Sequence, residues 1–249
     1  MTFWDLQSWQ KISTLPFFLL PYDVHLFYGN TNYFLDFMPF FQGILSDDEL
    51  DKAQSFKFQE RCNNYLVNKG ILRVILANYL LIKPDDILFF YNDKGKPILD
   101  FSINNIDLYF NLSHSKTYII YGFSLFNLGV DLEKIEDNDN LLGIAKRFFV
   151  QEEYQYLQHL KREEQVKTFY QFWTKKEAYL KAIGEGLSGG LDTINFCNKS
   201  HSNWQINNFS VDDNFLGAIA VETQHKCNYY CLELLPETLE QLILNLSNL

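Results

Sequence analysis

Leu128-Gly129-Val130-Asp131-Leu132-Glu133-Lys134 lies near the middle of a 249-residue chain, and its alternation decides the architecture. A strand's two-residue period sends Val130 and Leu132 to one face and Asp131 and Glu133 to the other. Toward the N-terminus, short β-rich runs at 87–91, 108–112 and 118–123 are separated by turn residues. Before them, Tyr65, Leu66, Ile71, Leu72, Val74, Ile75, Tyr79 and Leu80 recur at helical spacing and predict a long amphipathic helix that stops before Pro84. A shorter helix starts near Ser46, where Ser46-Asp47-Asp48-Glu49 is an N-cap residue with an acid three positions on.

Toward the C-terminus the same succession returns. A helical stretch from about 151 to 182 divides near Arg162, strands follow at 191–197, 203–211, 215–222 and 227–234, and Leu239, Leu242, Ile243 and Leu246 mark a final helix. Helix then strands, twice, with no Gly/Ser/Pro-rich linker between, predicts two α/β halves, 1–127 and 128–249, that share an interface.

The chain is 47% hydrophobic and 17% aromatic with only 6 Pro, which describes a folded protein with a real core. Its net charge of −10 excludes a protein whose main partner is a nucleic-acid backbone, because that partner demands a broad basic field. Cys62, Cys197, Cys227 and Cys231 are too few and too scattered for a disulfide framework, so a reducing cytoplasm fits. Cys227 and Cys231, close to His225, lack a second cysteine pair and read as structural thiols. The apolar run Leu15 to Leu20 is short, ends at Pro21 and has no basic leader, so neither a signal peptide nor a membrane span is expected.

Three places can carry chemistry. The side-by-side carboxylates of Asp131 and Glu133 are unfavourable on one strand face unless a cation offsets them, and hard oxygen ligands suit Mg²⁺; a solvated outer face is the plain alternative. In Phe172-Trp173-Thr174-Lys175-Lys176-Glu177-Ala178-Tyr179-Leu180-Lys181, helical spacing puts Trp173, Glu177 and Lys181 on one stripe among bulky neighbours, although such a Glu–Lys pair is ordinarily a surface feature. Asn111-Leu112-Ser113-His114-Ser115 ends a strand with a polar cluster. Ser113 is no hydrolase nucleophile, since Asn111 and Ser115 stand where the nucleophile elbow needs glycines; a phosphate-binding Ser/His pair or a simple strand-end turn remain. Lys94-Gly95-Lys96-Pro97 forms a turn between strands, and Lys52, Lys57 and Arg61 are further cations that can converge on an anion.

In this order the pieces resemble the Sfp-type 4′-phosphopantetheinyl transferases. Their markers are a Gly-Lys-Pro turn (Gly95 to Pro97), an Asn-x-Ser-His-Ser strand end (Asn111 to Ser115), a Gly-(Ile/Val)-Asp-x-Glu strand (Gly129 to Glu133) and a Trp-(Ser/Thr)-x-Lys-Glu-(Ala/Ser)-x-x-Lys helix (Trp173 to Lys181). Ala145-Lys146-Arg147-Phe148-Phe149 followed by Glu153, and Gly184-x-Gly186-Leu187, extend the likeness over about residues 45 to 195.

The resemblance implies an α/β (α+β) fold of two pseudo-twofold-related halves, each a small, mainly antiparallel sheet packed on a long helix, with coenzyme A and Mg²⁺ between them. It implies transfer of the 4′-phosphopantetheine of coenzyme A to a serine of an apo acyl, polyketide or peptidyl carrier protein, releasing adenosine 3′,5′-bisphosphate. Carried over, Asp131, Glu133 and Glu177 hold Mg²⁺ and Lys181 neutralises a phosphate. Ser113 and His114 face phosphate oxygens, His114 at the 3′-phosphate of the adenosine; Lys96 and Pro97 belong to the nucleotide wall, and Lys52 helps hold the 3′-phosphate. Glu177 or Glu153 is the general base. Glu49 departs from the pattern, standing where family members often carry a second basic residue, so the grip at that end is expected either to be weaker or to be supplied by Lys57 or Arg61. The stretch from Leu141 to Tyr154, with Lys146 and Arg147, is the expected carrier-docking surface. A cytoplasmic monomer with no membrane or nucleic-acid partner is implied. A metal-dependent pyrophosphohydrolase of coenzyme A or nucleotides, or a non-catalytic coenzyme A- or carrier-binding protein, would use the same residues.

Overall fold

The computed structural model describes residues 9–11, 18–100, 106–186, 190–197, 201–247 and 249. Leu15 to Phe17 of the N-terminal apolar run and Leu187 of the resemblance lie outside the described residues. In the first half come strands β1 (Gln10–Lys11) and β2 (Asp23–Asn30), then helices α1 (Met38–Ile44), α2 (Asp47–Gln54) and α3 (Gln59–Leu80). The hairpin β3 (Phe89–Tyr91) and β4 (Pro97–Leu99) follows, then β5 (Tyr109–Ser115) and β6 (Tyr118–Ser124). The second half contributes β7 (Leu128–Lys134), α4 (Leu141–Phe148), α5 (Gln151–Gln158), α6 (Arg162–Ile183), β8 (Gln205–Asp212), β9 (Phe215–Val221), β10 (Asn228–Glu233) and α7 (Pro236–Leu246).

Ser46 caps α2 as its spacing predicts: its hydroxyl accepts from the Glu49 amide while the Glu49 carboxylate accepts from the Ser46 amide. Residues 66–79 of α3 are buried on every side, so this is a central helix with the first sheet on one flank and α1 and α7 on others. At Gly70 a Cβ would lie 2.2 Å from the Phe41 ring, which is why α1 can cross so closely there. In the second half α6 lies on the antiparallel sheet β7-β9-β8, and Ala178, Ala182, Ala218 and Ala220 keep the crossing tight. Each half thus sets a 22-residue helix against a small sheet, the expected fold class.

Three features depart from the sequence reading. Strand β2 was not foreseen, because it is buried on both faces and carries Asp23 and His25, which erases the alternation of a half-exposed strand. The strand expected at 191–197 is a short helical turn followed by irregular chain: Lys176 takes the Leu191 and Ile194 carbonyls and Glu153 takes the Phe196 amide, so side chains satisfy a backbone that would otherwise seek a sheet. The boundary at residue 127 is crossed by the chain's end. Strand β10 pairs in parallel with β2, in a sheet ordered β1-β10-β2-β6-β5 among the described residues, and α7 buries Leu239 and Leu242 against the first half's core.

Cys227 and Cys231 are buried free thiols in the core that joins the two sheets. Among the described residues, no helix is long and apolar enough to cross a membrane.

Burial holds the His25 imidazole down at about 4, against the opposing pull of Asp23, while its Nδ1 lies 2.5 Å from the Tyr79 hydroxyl. The unfolded chain protonates at 6.5, so acid favours unfolding: this contribution is complete above pH 6.5 and lost as pH falls toward 4, about 3 kcal/mol at most. Urea midpoints should fall between pH 7 and pH 4.5, and His25→Gln should flatten that fall.

Candidate active site

The two sheets meet where β5, an edge of one, runs beside β7, an edge of the other. No backbone ladder joins them. Instead Asn111, Ser113 and Ser115, two residues apart and therefore on one face of β5, reach across in turn. The Val130 amide donates to Asn111 Oδ1 at 2.9 Å, Ser113 Oγ donates to Asp131 Oδ1 at 3.0 Å, and Ser115 Oγ donates to Glu133 Oε2 at 3.3 Å while accepting from the Lys134 amide at 3.0 Å. The polar strand end read from the sequence is thus the seam between the halves, and it aims both β7 carboxylates.

Helix α6 supplies the rest. Gly129 permits this, because a Cβ there would lie 2.1 Å from the Ala178 carbonyl oxygen; strand and helix touch backbone to backbone. Glu177 and Lys181, one turn apart, then flank Asp131. Lys181 Nζ donates to Asp131 Oδ1 at 2.6 Å and to Ser113 Oγ at 2.7 Å. The Trp173 indole donates to Glu133.

Three acids therefore face one ammonium. Burial and the charge of Asp131 push both Glu133 and Glu177 up to about 7, against the pull of Lys181. Asp131 Oδ2 and Glu177 Oε1 are buried with no hydrogen-bond partner among the described residues. Orphaned carboxylate oxygens and surplus negative charge are what a hard cation with oxygen ligands relieves, so the donor set fits Mg²⁺. Among the described residues the acids do not close into a three-ligand cluster by themselves.

His114 is exposed and lines a cavity of about 850 Å³ with Arg61, Lys69, Ser115, Lys134 and Glu133. Lys52, also exposed, lines a second cavity of about 580 Å³ with Lys69, Arg73, Gly95 and Pro97. The two share Tyr65, Lys69 and Leu112 as walls, and a small space of about 200 Å³ links Pro97 to Lys181. Together they form one elongated cleft past the acids.

Other expected residues are engaged elsewhere. Lys96 Nζ points at protein oxygens of the second half. Glu153 is wholly buried, ion-paired with the equally buried Lys176 at 2.8 Å and accepting from the Phe196 amide, with no face on the cleft. Lys57 packs over Phe58 and Arg61 lines the other cavity, so neither joins Lys52. The cations that do are Lys69 and Arg73. Arg73 donates from Nε to Glu49 and from Nη1 to two carbonyls; Lys69 sits 3.6 Å from Glu49 Oε1 among the rings of Tyr65, Phe89 and Tyr91. Their only signal in the sequence is two cations four apart in an otherwise apolar helix, a spacing that reads equally well as solvated surface.

The comparisons with known proteins agree with this geometry. Residues 127–233 match the model of the 4′-phosphopantetheinyl transferase superfamily, and residues 36–123 match that of the 4′-phosphopantetheinyl transferase N-terminal region. The chain is 37% identical over 186 residues to the 4′-phosphopantetheinyl transferase HetI of Nostoc sp., covering 71% of this chain and 78% of that protein. It belongs to the 4′-phosphopantetheinyl transferase superfamily. Sfp of Bacillus subtilis, another transferase of this name, is 31% identical over 166 residues, 67% of this chain and 71% of that one. The transferase gsp of Aneurinibacillus migulanus is 38% identical over 122 residues, 49% of this chain and 48% of its own.

In this superfamily member, Lys176→Met should cost about 3–5 kcal/mol, because it strands the Glu153 carboxylate without a counter-charge. Equilibrium denaturation should show Lys176→Met/Glu153→Gln to be more stable than Lys176→Met alone.

Proposed function

We propose that the chain transfers the 4′-phosphopantetheine arm of coenzyme A to a serine hydroxyl of an apo acyl or peptidyl carrier protein and releases adenosine 3′,5′-bisphosphate. The observation that carries this reading is the trio of buried Asp131, half-buried Glu133 and buried Glu177 around the ammonium of Lys181, at the edge of a long cleft. Asp131, Glu133 and Glu177 would hold Mg²⁺. The bound ion supplies charge neutralisation on the pyrophosphate.

The chain's own groups do the rest. The elongated cleft suits an elongated donor, with the nucleotide toward Lys52, Lys69 and Pro97 and the pyrophosphate beside Lys181. Lys181 keeps its charge against the bond that breaks, between the β-phosphorus and the oxygen leading to adenosine, where negative charge gathers on the leaving group. A serine hydroxyl attacks the β-phosphorus poorly until its proton is taken, and Glu177 is the candidate base for that proton. Of the two glutamates the sequence offered, Glu177 reaches the site and Glu153 is sealed away.

For the carrier, α4 presents exposed Lys146 and Arg147 beside half-buried Leu142, Ile144 and Phe148. A local basic and apolar patch suits an acidic partner that the chain's net charge of −10 would otherwise repel. The free thiols and the presence of both halves in one chain support a cytoplasmic monomer.

Intact mass of an apo carrier incubated with the protein, coenzyme A and Mg²⁺ should rise by one phosphopantetheine. The rise should vanish with Asp131→Ala or a chelator. Consumption of coenzyme A without a change in the carrier would identify a pyrophosphohydrolase instead, and binding without turnover a non-catalytic protein. Glu177→Gln should lower kcat by about 10²–10⁴-fold, whereas Glu153→Gln should leave kcat of the folded protein nearly unchanged. Reversing both Lys146 and Arg147 to glutamate should raise KM for the carrier and leave KM for coenzyme A alone.

A further inference from the structure

The Gly-Lys-Pro turn performs a task its sequence does not announce. Asn92 shapes it: Oδ1 accepts from the Lys94 amide at 3.0 Å and the Lys96 amide at 2.8 Å, and the Asn92 amide donates to the Lys96 carbonyl. Gly95, at φ +83°, lets the chain reverse. From this turn, which belongs to the first half, two side chains cross to the second. Asn92 Nδ2 donates to the Gly184 carbonyl at 3.0 Å. Lys96 Nζ donates to the Ala182 carbonyl at 2.7 Å, to Asn127 Oδ1 at 3.1 Å and to the Leu128 carbonyl at 3.4 Å.

An ammonium has three N–H donors, and here all three have protein acceptors, so none is left over for a phosphate. The acceptors are placed tellingly. Ala182 and Gly184 are the C-terminal end of α6, the negative pole of the helix, where a cation is favourable. Ala182 directly follows Lys181, and Leu128 begins the strand that carries Asp131 three residues on. Between these points Gly129 brings the two backbones into contact with α6. A single charge thus ties the end of α6 to the start of β7, at the spot that fixes how far Lys181 stands from Asp131. Asn127 is itself held from the far side, its Nδ2 donating to Glu222 at 3.1 Å.

We infer that Lys96 is a positioning residue: it does not bind the nucleotide, but locks the first half's β3–β4 turn onto the α6–β7 junction and so sets the Lys181–Asp131 pair for catalysis. The inference rests on the phosphopantetheinyl transfer proposed above. Misplacing reacting groups by about 1 Å costs on the order of a hundredfold in rate, so loosening this lock should act on turnover rather than on donor affinity.

The test is steady-state transfer to an apo carrier from coenzyme A and from 3′-dephospho-coenzyme A, with Lys96→Met, Lys96→Arg and Asn92→Ala, each confirmed folded by its melting curve. Lys96→Met should lower kcat about ten- to a hundredfold with both donors equally, leave KM for coenzyme A little changed, and be partly rescued in Lys96→Arg, which restores donors and charge. A change in the ratio of kcat/KM for the two donors would put Lys96 on the 3′-phosphate, and an unchanged kcat would leave it nothing to position; either overturns the inference. Should Lys96→Met not fold, Asn92→Ala, which removes the neighbouring tether to Gly184 and the side-chain acceptor that shapes the turn while leaving the Lys96 ammonium in place, should show the same pattern more weakly, and its absence would count equally against the lock. If the unaltered protein transfers nothing, the proposed function fails first, and the outcome is distinct from failure of the lock.

Discussion

The interaction on which the site depends is the contact of Lys181 with Asp131 Oδ1 and Ser113 Oγ, because it ties β5, β7 and α6 together at one point. Two sheets that end in adjacent edges face a choice: pair by backbone and become one sheet, or stay separate and cover their edges. Here the edges are covered by side chains. The serines and asparagine of β5 take the places a ladder would fill, and the acids of β7 are thereby turned toward the helix that brings their counter-charge. A seam made this way is strong in direction and weak in total, since each neutral hydrogen bond contributes only about 0.5–1.5 kcal/mol net. What keeps the halves together is the apolar core beneath, where Val24, Leu26 and Ile120 of one sheet meet Val130, Ile219 and Phe209 of the other.

Strand β10 and helix α7 add to that hold. By leaving the second half to complete the first, they make the chain's last segment a cross-brace: β10 hydrogen-bonds along β2, and α7 closes the far side of α3. The cleft is consequently walled by parts that cannot swing apart without unzipping a central strand. The site can then rely on fixed geometry, which suits a reaction that is mostly positioning and charge neutralisation.

How far this was legible follows from which forces leave a local mark. The helices showed because capping and a 3.6-residue period are local: Ser46 and Glu49 read correctly, and so did α3, α5, α6 and α7. The acids of β7 and the Glu177–Lys181 stripe were readable for the same reason. What hid were consequences of long-range pairing. Strand β2 shows no alternation because neighbours cover both faces. The 191–197 segment looks like a strand until Lys176 and Glu153, far away in sequence, claim its backbone groups. The partners of Lys96 and Glu153 were hidden because a charged side chain in a motif has the same letter whether it faces a substrate or a carbonyl; only burial and hydrogen bonds reveal the protein oxygens and amide they meet. The cations beside Lys52 come from the interior of α3, where the sequence offers charge but no sign of a cavity.

The two kinds of buried charge in this protein also explain why one is quiet and the other reactive. Glu153 and Lys176 form a closed pair, each with further backbone partners, and nothing is left to bind. The acids of the seam are left deliberately short: Asp131 Oδ2 and Glu177 Oε1 have no partner among the described residues, and one ammonium serves three carboxylates. Carboxyls held near 7 when folded but at 4.5 when unfolded make the folded state bind more protons, so their ionisation weakens the fold as pH rises from 4.5 through 7. The fold tolerates that cost because its core lies elsewhere. On the proposed reading this deficit is what a cation entering the cleft would relieve, because the protein's own side chains leave those oxygens short of positive charge.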